Sequence, residues 1–415
     1  MQVDALQEEA KTLCCDTKLP IVSVTGQAGT GKTTIMQDVH EAFVNAGHVT
    51  VLCAPTGKAA KRISEATGIS AQTIHRLLEF THPGDPDEKT GKPVGVSRPR
   101  RDRQNRLEQT AILVDEASMI NQELYRDLID AMPNGGIIRF FGDVNQLPPI
   151  EERDDYKKME SPFKKVLKDF PSVMLKNIYR QGEGSGVVKN AHRILNGMIP
   201  MQFDDFKLII GRPHLPNTVL GLVKAGDVDY TSLDNQIITP TNQGWIGQIK
   251  LNQLIQQNVW GEKLYEAVIL PRSKWDKVDL MVMVGEKVIW KKNDYNLEIF
   301  NGETGIIQAL ANDCISIDFG DRTVDVPPWI EYTAADGSIK GYDPRVNIYL
   351  AYALTTHACQ GSEYQHVIYV MDRSAWGLLI RGNFYTGLTR ARKKAWVVSD
   401  QAALQRSVVN TQSRF

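Results

Sequence analysis

The sequence predicts an α/β protein of two domains, each of which carries a small inserted subdomain. Two observations predict the α/β domains: short unbroken apolar segments alternate with helical patterns, and each segment ends in polar residues. Unbroken apolar segments are typical of strands that are buried on both faces of a parallel sheet. A third observation predicts the insertions, because residues 81–106 and 275–345 depart from this alternation. The length of 415 residues also exceeds that of most single domains.

The first domain is predicted to comprise residues 1–80 and 107–172. Its expected strands are Ile21–Val24, Val49–Cys53, Ala111–Val114 and Ile137–Phe141. A helix is expected after Lys32, because apolar residues follow at helical spacing and Gly47 then provides a stop. Ligands of α/β proteins bind at the carboxyl ends of the strands, so the polar residues that follow these segments are the first candidates for a functional site.

The second domain is predicted to comprise residues 173–274 and 346–415, with strands at 236–239, 367–371 and 396–398. Its insertion at 275–345 alternates apolar and polar residues around a Gly-Asp turn, which predicts a small antiparallel β module. The insertion of the first domain, 81–106, is instead rich in proline, glycine and charge. It ends in the arginines Arg98, Arg100, Arg101, Arg103 and Arg106.

The composition excludes several classes of protein. With 48 Lys and Arg against 49 Asp and Glu, the net charge is −1, which excludes an overall polycation that coats DNA. A hydrophobic content of 42% excludes a disordered chain. The five cysteines include no CxxC pair, which predicts a reduced intracellular protein without a structural zinc site. An acidic N-terminus and the lack of a long apolar run predict a cytoplasmic protein with no membrane partner.

Residues 26–33 fit the pattern GxxxxGK[ST] between a strand and a helix, the context in which this pattern binds phosphates. The glycines let backbone N–H groups cradle phosphate oxygens at the start of the helix. Lys32 is expected to reach the β- and γ-phosphates of ATP, and the Thr33 hydroxyl to hold Mg²⁺. The expected ATP-contacting residues are Gly26, Gly29, Thr30, Gly31, Lys32, Thr33 and Thr34. The alternative is a glycine-rich turn that only packs.

Two further polar motifs follow predicted strands. Asp115 can bind Mg²⁺, and the adjacent Glu116 can deprotonate the attacking water. The alternative for this pair is a solvated turn or a helix cap. Gln146 follows the next strand, and its amide could hydrogen-bond the γ-phosphate or the attacking water. The alternative there is a loop that two prolines make rigid.

These motifs, in their order along the chain, resemble the motifs of superfamily 1 DNA helicases. The resemblance is to the branch that contains RecD, the Dda helicase of T-even phages and the Pif family. The resemblance covers nearly the whole chain, and many ordered matches are more specific than any one of them. The matching segments are Gly26–Thr33, Ala54–Ala60, Thr73–Leu77, Val114–Met119, Gly142–Pro149, Ile178–Gln181, Thr239–Asn242, Asn301–Glu303, His357–Glu363 and Tyr385–Arg392. The compact length and the lack of an N-terminal extension favour a Dda-like protein.

The resemblance implies two RecA-like P-loop NTPase domains that face each other across an ATP cleft and move along single-stranded DNA in the 5′→3′ direction. It implies a wedge at 81–106 and a small β-barrel at 275–345. The residues that it implies for catalysis are Lys32, Glu116, Gln146, Arg180 and Arg390. Those that it adds for nucleotide binding are Gln7, Tyr179, Gly361 and Glu363. Those that it implies for DNA contact are Pro55, Thr56, Gly57, Thr73, His75, Thr241, Asn242, Thr356 and His357.

The chain departs from the family pattern at Ala358-Cys359, where the family usually has Lys-Ser, so one expected cation is missing. The match of Gln7 to the adenine-reading glutamine is short. Ordinary structural roles remain open for single residues: Tyr179 could belong to the core, and the threonines could serve as turn residues.

The expected ligands are ATP, Mg²⁺, single-stranded DNA and forked or duplex DNA, with replication or recombination proteins as further partners of a monomer. Positive charge is expected to be local, at Arg98–Arg106 and at Arg390–Lys394, with DNA affinity that falls as salt rises. Three alternatives stay open: a translocase that mainly displaces proteins, a non-catalytic DNA-binding subunit and an RNA helicase.

Overall fold

The computed structural model divides the chain into two units, Met1–Glu183 with Thr333–Ser338 and Gly184–Tyr332 with Ile339–Phe415. The described residues are 4–81, 97–151, 153–179, 184–211, 215–225, 229–271, 280–294, 296–311, 314–333 and 338–411. Within these residues, no helix combines the length and the apolar character that crossing a membrane requires.

The first unit is built on a parallel sheet of six strands in the order β3-β2-β4-β5-β1-β6. The strands are β1 Ile21–Gly26, β2 Thr50–Ala54, β3 Ala71–Thr73, β4 Ala111–Val114, β5 Ile137–Gly142 and β6 Ser172–Leu175. The helices are α1 Ala5–Cys15, α2 Lys32–Asn45, α3 Gly57–Thr67, α4 Ile74–Leu77, α5 Gln122–Ala131, α6 Asp154–Lys157 and α7 Pro162–Asp169. Two apolar clusters cover the sheet, and every residue of β4 and β5 is buried, which confirms the predicted strands.

A buried arginine fastens α1 to the central strand β5. The Arg139 side chain is fully buried, and its guanidinium donates to the carbonyl oxygens of Cys14 at 2.6 Å, Asp16 at 2.8 Å and Leu19 at 2.9 Å. These carbonyls lie at or just beyond the C-terminal end of α1, where a cation is favourable. Burial lowers the pKa of Arg139 to about 10, so the side chain still carries its charge at pH 7. This fastening fixes the helix that carries Gln7.

The second unit has a parallel sheet in the order β18-β8-β19-β20-β7 and an antiparallel sheet in the order β14-β13-β12-β11-β17. The strands are β7 Phe206–Ile210, β8 Asn235–Thr239, β9 Val268–Leu270, β10 Leu280–Val282, β11 Lys287–Trp290, β12 Thr304–Ala311, β13 Cys314–Asp318, β14 Thr323–Val326, β15 Ile330–Thr333, β16 Ile339–Tyr342, β17 Ile348–Leu350, β18 Ala353–Thr355, β19 Tyr364–Met371 and β20 Ala391–Ser399. The helices are α8 Gly186–Leu195, α9 Leu215–Lys224, α10 Gln248–Trp260, α11 Arg381–Leu388 and α12 Gln401–Val409.

Two expected boundaries differ from the structure. Strand β6 pairs with β1, so residues 173–175 extend the first sheet, and the second unit begins at Gly184 rather than at 173. The antiparallel sheet includes β17, which pairs with β11, so the β module extends beyond residue 345. Both differences have the same cause. A segment belongs to the unit whose strands it pairs with, and that pairing joins segments that are far apart in the sequence. Most of the other insertion, residues 82–96, lies outside the described residues.

A carboxyl group is buried where the antiparallel sheet meets α10. Glu286 has no exposed surface, and its oxygens accept hydrogen bonds from Gln256 Nε2 at 2.8 Å, the Met283 N–H at 3.0 Å and the Tyr352 hydroxyl at 3.3 Å. Burial raises the pKa of Glu286 from 4.5 to about 7, although these hydrogen bonds favour the charged form. The folded protein therefore holds this proton more tightly than the unfolded chain.

We expect Glu286 to make the second unit less stable as pH rises from about 4.5 to about 7, since the folded form binds more protons in that window. The free energy of unfolding should fall by up to about 3 kcal/mol, because each pKa unit corresponds to about 1.4 kcal/mol. Denaturant unfolding of Glu286→Gln at several pH values should show a flatter profile. The exposed Glu262→Gln is the control, and a profile that is equally flat in both variants would contradict the assignment.

Candidate functional site

The phosphate loop connects β1 to α2 in the first unit. Gly29 and Gly31 have φ angles of 82° and 89°, in the left-handed region that favours glycine. A Cβ on Gly31 would also lie 2.4 Å from Gln7 Nε2. The loop ends at the first turn of the 14-residue helix α2, where free N–H groups and the helix dipole attract anions.

Lys32 bends back over this loop. Its Nζ donates to the carbonyl oxygens of Gly26 at 2.6 Å and Gln27 at 2.9 Å. The Thr30 hydroxyl also donates to Gln27, at 2.9 Å. The ammonium group is thus held above the loop, in the position from which a flexible lysine can contact phosphate oxygens.

The two acids lie at the carboxyl end of β4. Asp115 and Glu116 are only 6% and 8% exposed, and the Glu116 N–H donates to Asp115 Oδ1 at 2.8 Å. Burial, together with the Glu116 carboxylate, raises the pKa of Asp115, whereas the Arg62 and Lys32 cations act in the opposite direction. Glu116 has a φ of 51°, an uncommon backbone for a residue with a side chain.

A pocket of about 200 Å³ brings Thr33 and Asp115 together. It lies between α2 and α3, and its lining residues are Thr33, Thr34, Gln37, Arg62, Ile63, Ala66 and Asp115. Hydroxyl and carboxylate oxygens are the ligands that Mg²⁺ prefers, so this pair fits the expected metal chemistry. Within the described residues, no cluster of three or more His, Cys, Asp or Glu could hold a metal ion.

Arg62 is a residue of this site that the sequence analysis did not identify. Its Nη1 lies 3.8 Å from Glu116 Oε1. No short motif marks Arg62 in the sequence, because Glu116 lies 54 positions away. On α3 it shares the face that lines the pocket with Ala66, four residues later.

Gln146 follows β5, on the same edge of the sheet. It is 8% exposed, and its Oε1 has no hydrogen-bond partner among the described residues. Buried polar atoms are normally satisfied. The Gln146 amide oxygen lies just beyond the end of β5 and has no partner among the described residues. It is therefore suited to accept a hydrogen bond from a ligand or a bound water.

Gln7 and Tyr179 flank the phosphate loop. Gln7 Nε2 donates to the Thr30 carbonyl at 3.0 Å. The Tyr179 N–H donates to the Gly29 carbonyl at 2.8 Å, and Tyr179 is 52% exposed. Tyr179 is therefore not a core residue, and its ring is available to stack on a base.

The DNA-contact candidates of the first unit follow β2 and β3, which pair in parallel with Ala54 opposite Thr73. Thr56 caps α3 and accepts the Ala59 N–H at 3.3 Å, and Thr73 caps α4 in the same way. Pro55 and Gly57 flank Thr56 on this edge of the sheet, and His75 is exposed beside Phe80.

The DNA-contact candidates of the second unit follow β8 and β18, which also pair in parallel. Asn242 is exposed and Thr241 half-buried. Thr356 is fully buried, and its hydroxyl donates to the Thr239 carbonyl at 3.4 Å, so its side chain does not reach the surface in this structure. His357 is half-buried, and burial lowers its pKa, which keeps the ring neutral at pH 7.

The remaining candidates of the second unit are held by local contacts. Glu363 Oε2 lies 3.5 Å from Arg392 Nε, and Gly361 has a φ of 73°. Arg390 is 2% exposed, and its guanidinium donates to the Thr386 and Ser362 carbonyls at 2.9 and 3.2 Å. Arg390 therefore does not contribute to the local positive surface expected at 390–394. Arg180 lies outside the described residues.

The arginines that end the first insertion are also engaged locally. Arg101 pairs with Glu79 at 2.7 Å and Arg103 with Asp130 at 2.8 Å. Arg106 donates to the Met132 carbonyl at 2.5 Å. Two of the five arginines are therefore paired with a carboxylate, which offsets part of the positive charge that the sequence suggested for this segment.

Two family models match the chain. The model described as an AAA domain matches residues 2–208, and the model described as a UvrD-like helicase C-terminal domain matches residues 350–398. The first match contains the phosphate loop, both acids and Gln146. The second contains Thr356, Gly361 and Arg390.

Among curated proteins, the chain is 31% identical to the ATP-dependent RecD2 DNA helicase of Deinococcus radiodurans, over 94% of this chain and 49% of that protein. It is 28% identical to the RecBCD enzyme subunit RecD of Mycobacterium tuberculosis, over 94% of this chain and 68% of that protein. The chain thus spans about half the length of the RecD2 relative.

Solved Pif1 structures share the fold. A Bacteroides Pif1 bound to single-stranded DNA aligns with a TM-score of 0.60 and 21% identity, over 96% of this chain and 92% of that one. The Pif1 helicase of Candida albicans aligns with a TM-score of 0.59 and 18% identity, over 99% of this chain and 97% of that one. The narrower Dda-like assignment stays a prediction. The ordered motifs, both family models and this shared fold of two RecA-like domains show that the chain belongs to the superfamily 1 helicases of the RecD/Pif type.

Proposed function

We propose that the protein is an ATP-dependent DNA helicase that moves along single-stranded DNA and unwinds duplex. The observation that carries this proposal is the pocket in which Thr33 at the start of α2 meets Asp115 at the end of β4, beside Lys32 and Glu116. A phosphate loop next to paired buried acids is the arrangement that NTP hydrolysis requires. The RecD2 and RecD relatives support DNA as the track.

In this proposal, the first unit binds and hydrolyses ATP. The loop N–H groups and Lys32 hold the phosphates, Gln146 senses the γ-phosphate or the attacking water, and Glu116 takes the proton from that water. Thr33 and Asp115 would hold Mg²⁺, which would neutralise charge on the phosphate oxygens. Gln7 and Tyr179 would contact the adenine. The nucleotide roles of Gly361 and Glu363, and the catalytic roles of Arg180 and Arg390, stay predictions.

The DNA would follow the carboxyl edges of the sheets, where hydroxyl groups and helix N-termini favour phosphate contacts that do not depend on sequence. The candidates that are accessible there are Pro55, Thr56, Gly57, Thr73, His75, Thr241, Asn242 and His357. A Bacteroides Pif1 of the same fold, at 19% identity and a TM-score of 0.59, was solved with ADP-AlF3 and single-stranded DNA. This likeness shows the fold alone, so the DNA contacts of this chain rest on the positions of these residues.

The test is a strand-displacement assay on duplexes with a 5′ or a 3′ single-stranded tail, made of DNA or RNA, with and without ATP. We expect ATP-dependent displacement of DNA from the 5′-tailed duplex, because the family resemblance implies 5′→3′ movement. Displacement only from the 3′-tailed duplex would contradict the direction. DNA-stimulated ATPase activity without displacement would favour a translocase, and a preference for RNA tails would favour an RNA helicase.

A further inference from the structure

One helix of the first unit, α3, has its N-terminus among the DNA-contact candidates and a side chain in the pocket that Thr33 and Asp115 line. Thr56 caps α3 at the carboxyl edge of the sheet. Six residues later, Arg62 lines the pocket together with Thr33 and Asp115, and its Nη1 is 3.8 Å from Glu116 Oε1. At 1.5 Å per residue, Thr56 and Arg62 are about 9 Å apart along the helix axis.

We propose that Arg62 is a positioning residue that couples DNA binding to ATP hydrolysis. The Arg62 guanidinium holds the Glu116 carboxylate near α3 through their ion pair. A DNA strand that binds at the N-terminal turn of α3 displaces the helix and thereby changes the distance between the two charged groups. The inference rests on the proposed function, because it requires that Glu116 act as the base and that DNA bind near Thr56.

Two features make the pair sensitive to a small movement. At 3.8 Å the two groups lie near the 4 Å limit of an ion pair, so a displacement on the order of 1 Å would separate them. Glu116 also has a φ of 51°, and a non-glycine residue keeps such a backbone only where its surroundings hold it. Arg62 is part of those surroundings.

The helix itself is suited to transmit a displacement. It is a continuous hydrogen-bonded segment from Gly57 to Thr67, capped by Thr56 and ended by Gly68 in the left-handed conformation. Its buried face consists of small or apolar side chains: Ala59, Ala60, Ile63 and Thr67. A force at the first turn therefore moves Arg62 along with the rest of the helix instead of being absorbed by a kink.

The contribution of Arg62 to stability should be small. Its side chain is 31% exposed and its Nη1 lies 3.8 Å from Glu116, so water and salt screen the Arg62 end of the pair, although the Glu116 side chain is only 11% exposed. A change in ATPase behaviour on substitution can therefore be separated from unfolding, which a melting curve measures directly.

The test compares the ATPase rate of Arg62→Ala with and without saturating single-stranded DNA. We expect the ratio of the two rates to fall by about fivefold or more, as for the loss of an allosteric coupling, while KM for ATP stays unchanged. Arg62→Lys should recover part of the ratio because it keeps the charge. Lys61→Ala is the matched control: it also removes one positive charge from α3, but Lys61 does not line the pocket. This variant should keep the wild-type ratio of stimulated to basal ATPase rate.

A wild-type ratio in Arg62→Ala, or an equal loss of the basal and the stimulated rates, would overturn the coupling role. Arg62→Gln, which retains a polar side chain, serves as the second variant if the alanine variant fails to fold. Failure of the proposed function would look different: wild-type protein would then show no ATPase activity that DNA stimulates.

Discussion

Lys32→Ala should abolish DNA-stimulated ATP hydrolysis, with a fall of about 10² to 10³ in kcat, the usual effect of removing a group that stabilises transition-state charge. In this structure the Lys32 ammonium donates to two carbonyl oxygens of the phosphate loop. Its charge would therefore act on phosphate oxygens once ATP occupies the loop. The measurement is steady-state ATPase activity at saturating single-stranded DNA.

The substitution should change the fold little, because its contacts to two carbonyls are worth about 1 kcal/mol each and water can replace them. Lys168→Ala is a matched control in the same unit, since Lys168 is exposed and pairs with the surface residue Glu160. Undiminished turnover in Lys32→Ala would mean that the phosphate loop is not the nucleotide site.

Glu116→Gln should keep ATP binding but lower kcat by about 10² to 10⁴, the range for the loss of a general base. The amide has nearly the shape of the carboxylate but cannot take a proton from the attacking water. Binding of a fluorescent ATP analogue, measured beside kcat, separates the two effects. The same variant also removes the ion pair with Arg62, so its residual rate should no longer depend on residue 62.

The control for this variant is Glu65→Gln, an exposed acid on α3 that is not part of the pocket lining. It should leave both ATP affinity and kcat unchanged. If Glu116→Gln instead lost ATP affinity and kept the wild-type maximal rate, Glu116 would be a binding residue and another group would have to act as the base.

The four central strands of the first sheet, β2, β4, β5 and β1, could be predicted from the sequence because they are largely buried on both faces. A segment such as Ile137–Gly142 is apolar throughout, and that is visible without knowledge of its neighbours. The two edge strands could not be predicted in this way: β3 has only three residues, all half-buried, and the burial of β6 alternates. Strand β6 lies at the edge of the sheet, beside β1, and half of its side chains face outward.

The candidate site could be predicted only in part. Lys32, Thr33 and Asp115 were identified because short motifs carry them, and the pocket brings Thr33 and Asp115 together. Arg62 was missed because no motif of consecutive residues links it to Glu116, from which it is separated by 54 positions in sequence.

The sequence by itself determined the α/β class, the central strands of the two parallel sheets and the phosphate loop, since each depends on residues close together in the chain. Only the tertiary structure decided which charges are available. Arg139 lies inside an apolar segment of the sequence, and Arg390 was expected in catalysis and in a local positive surface. In the structure both are buried and donate to carbonyl groups. Periodicity reports which face of an element is buried, but a charge acquires its partner only when distant segments pack together.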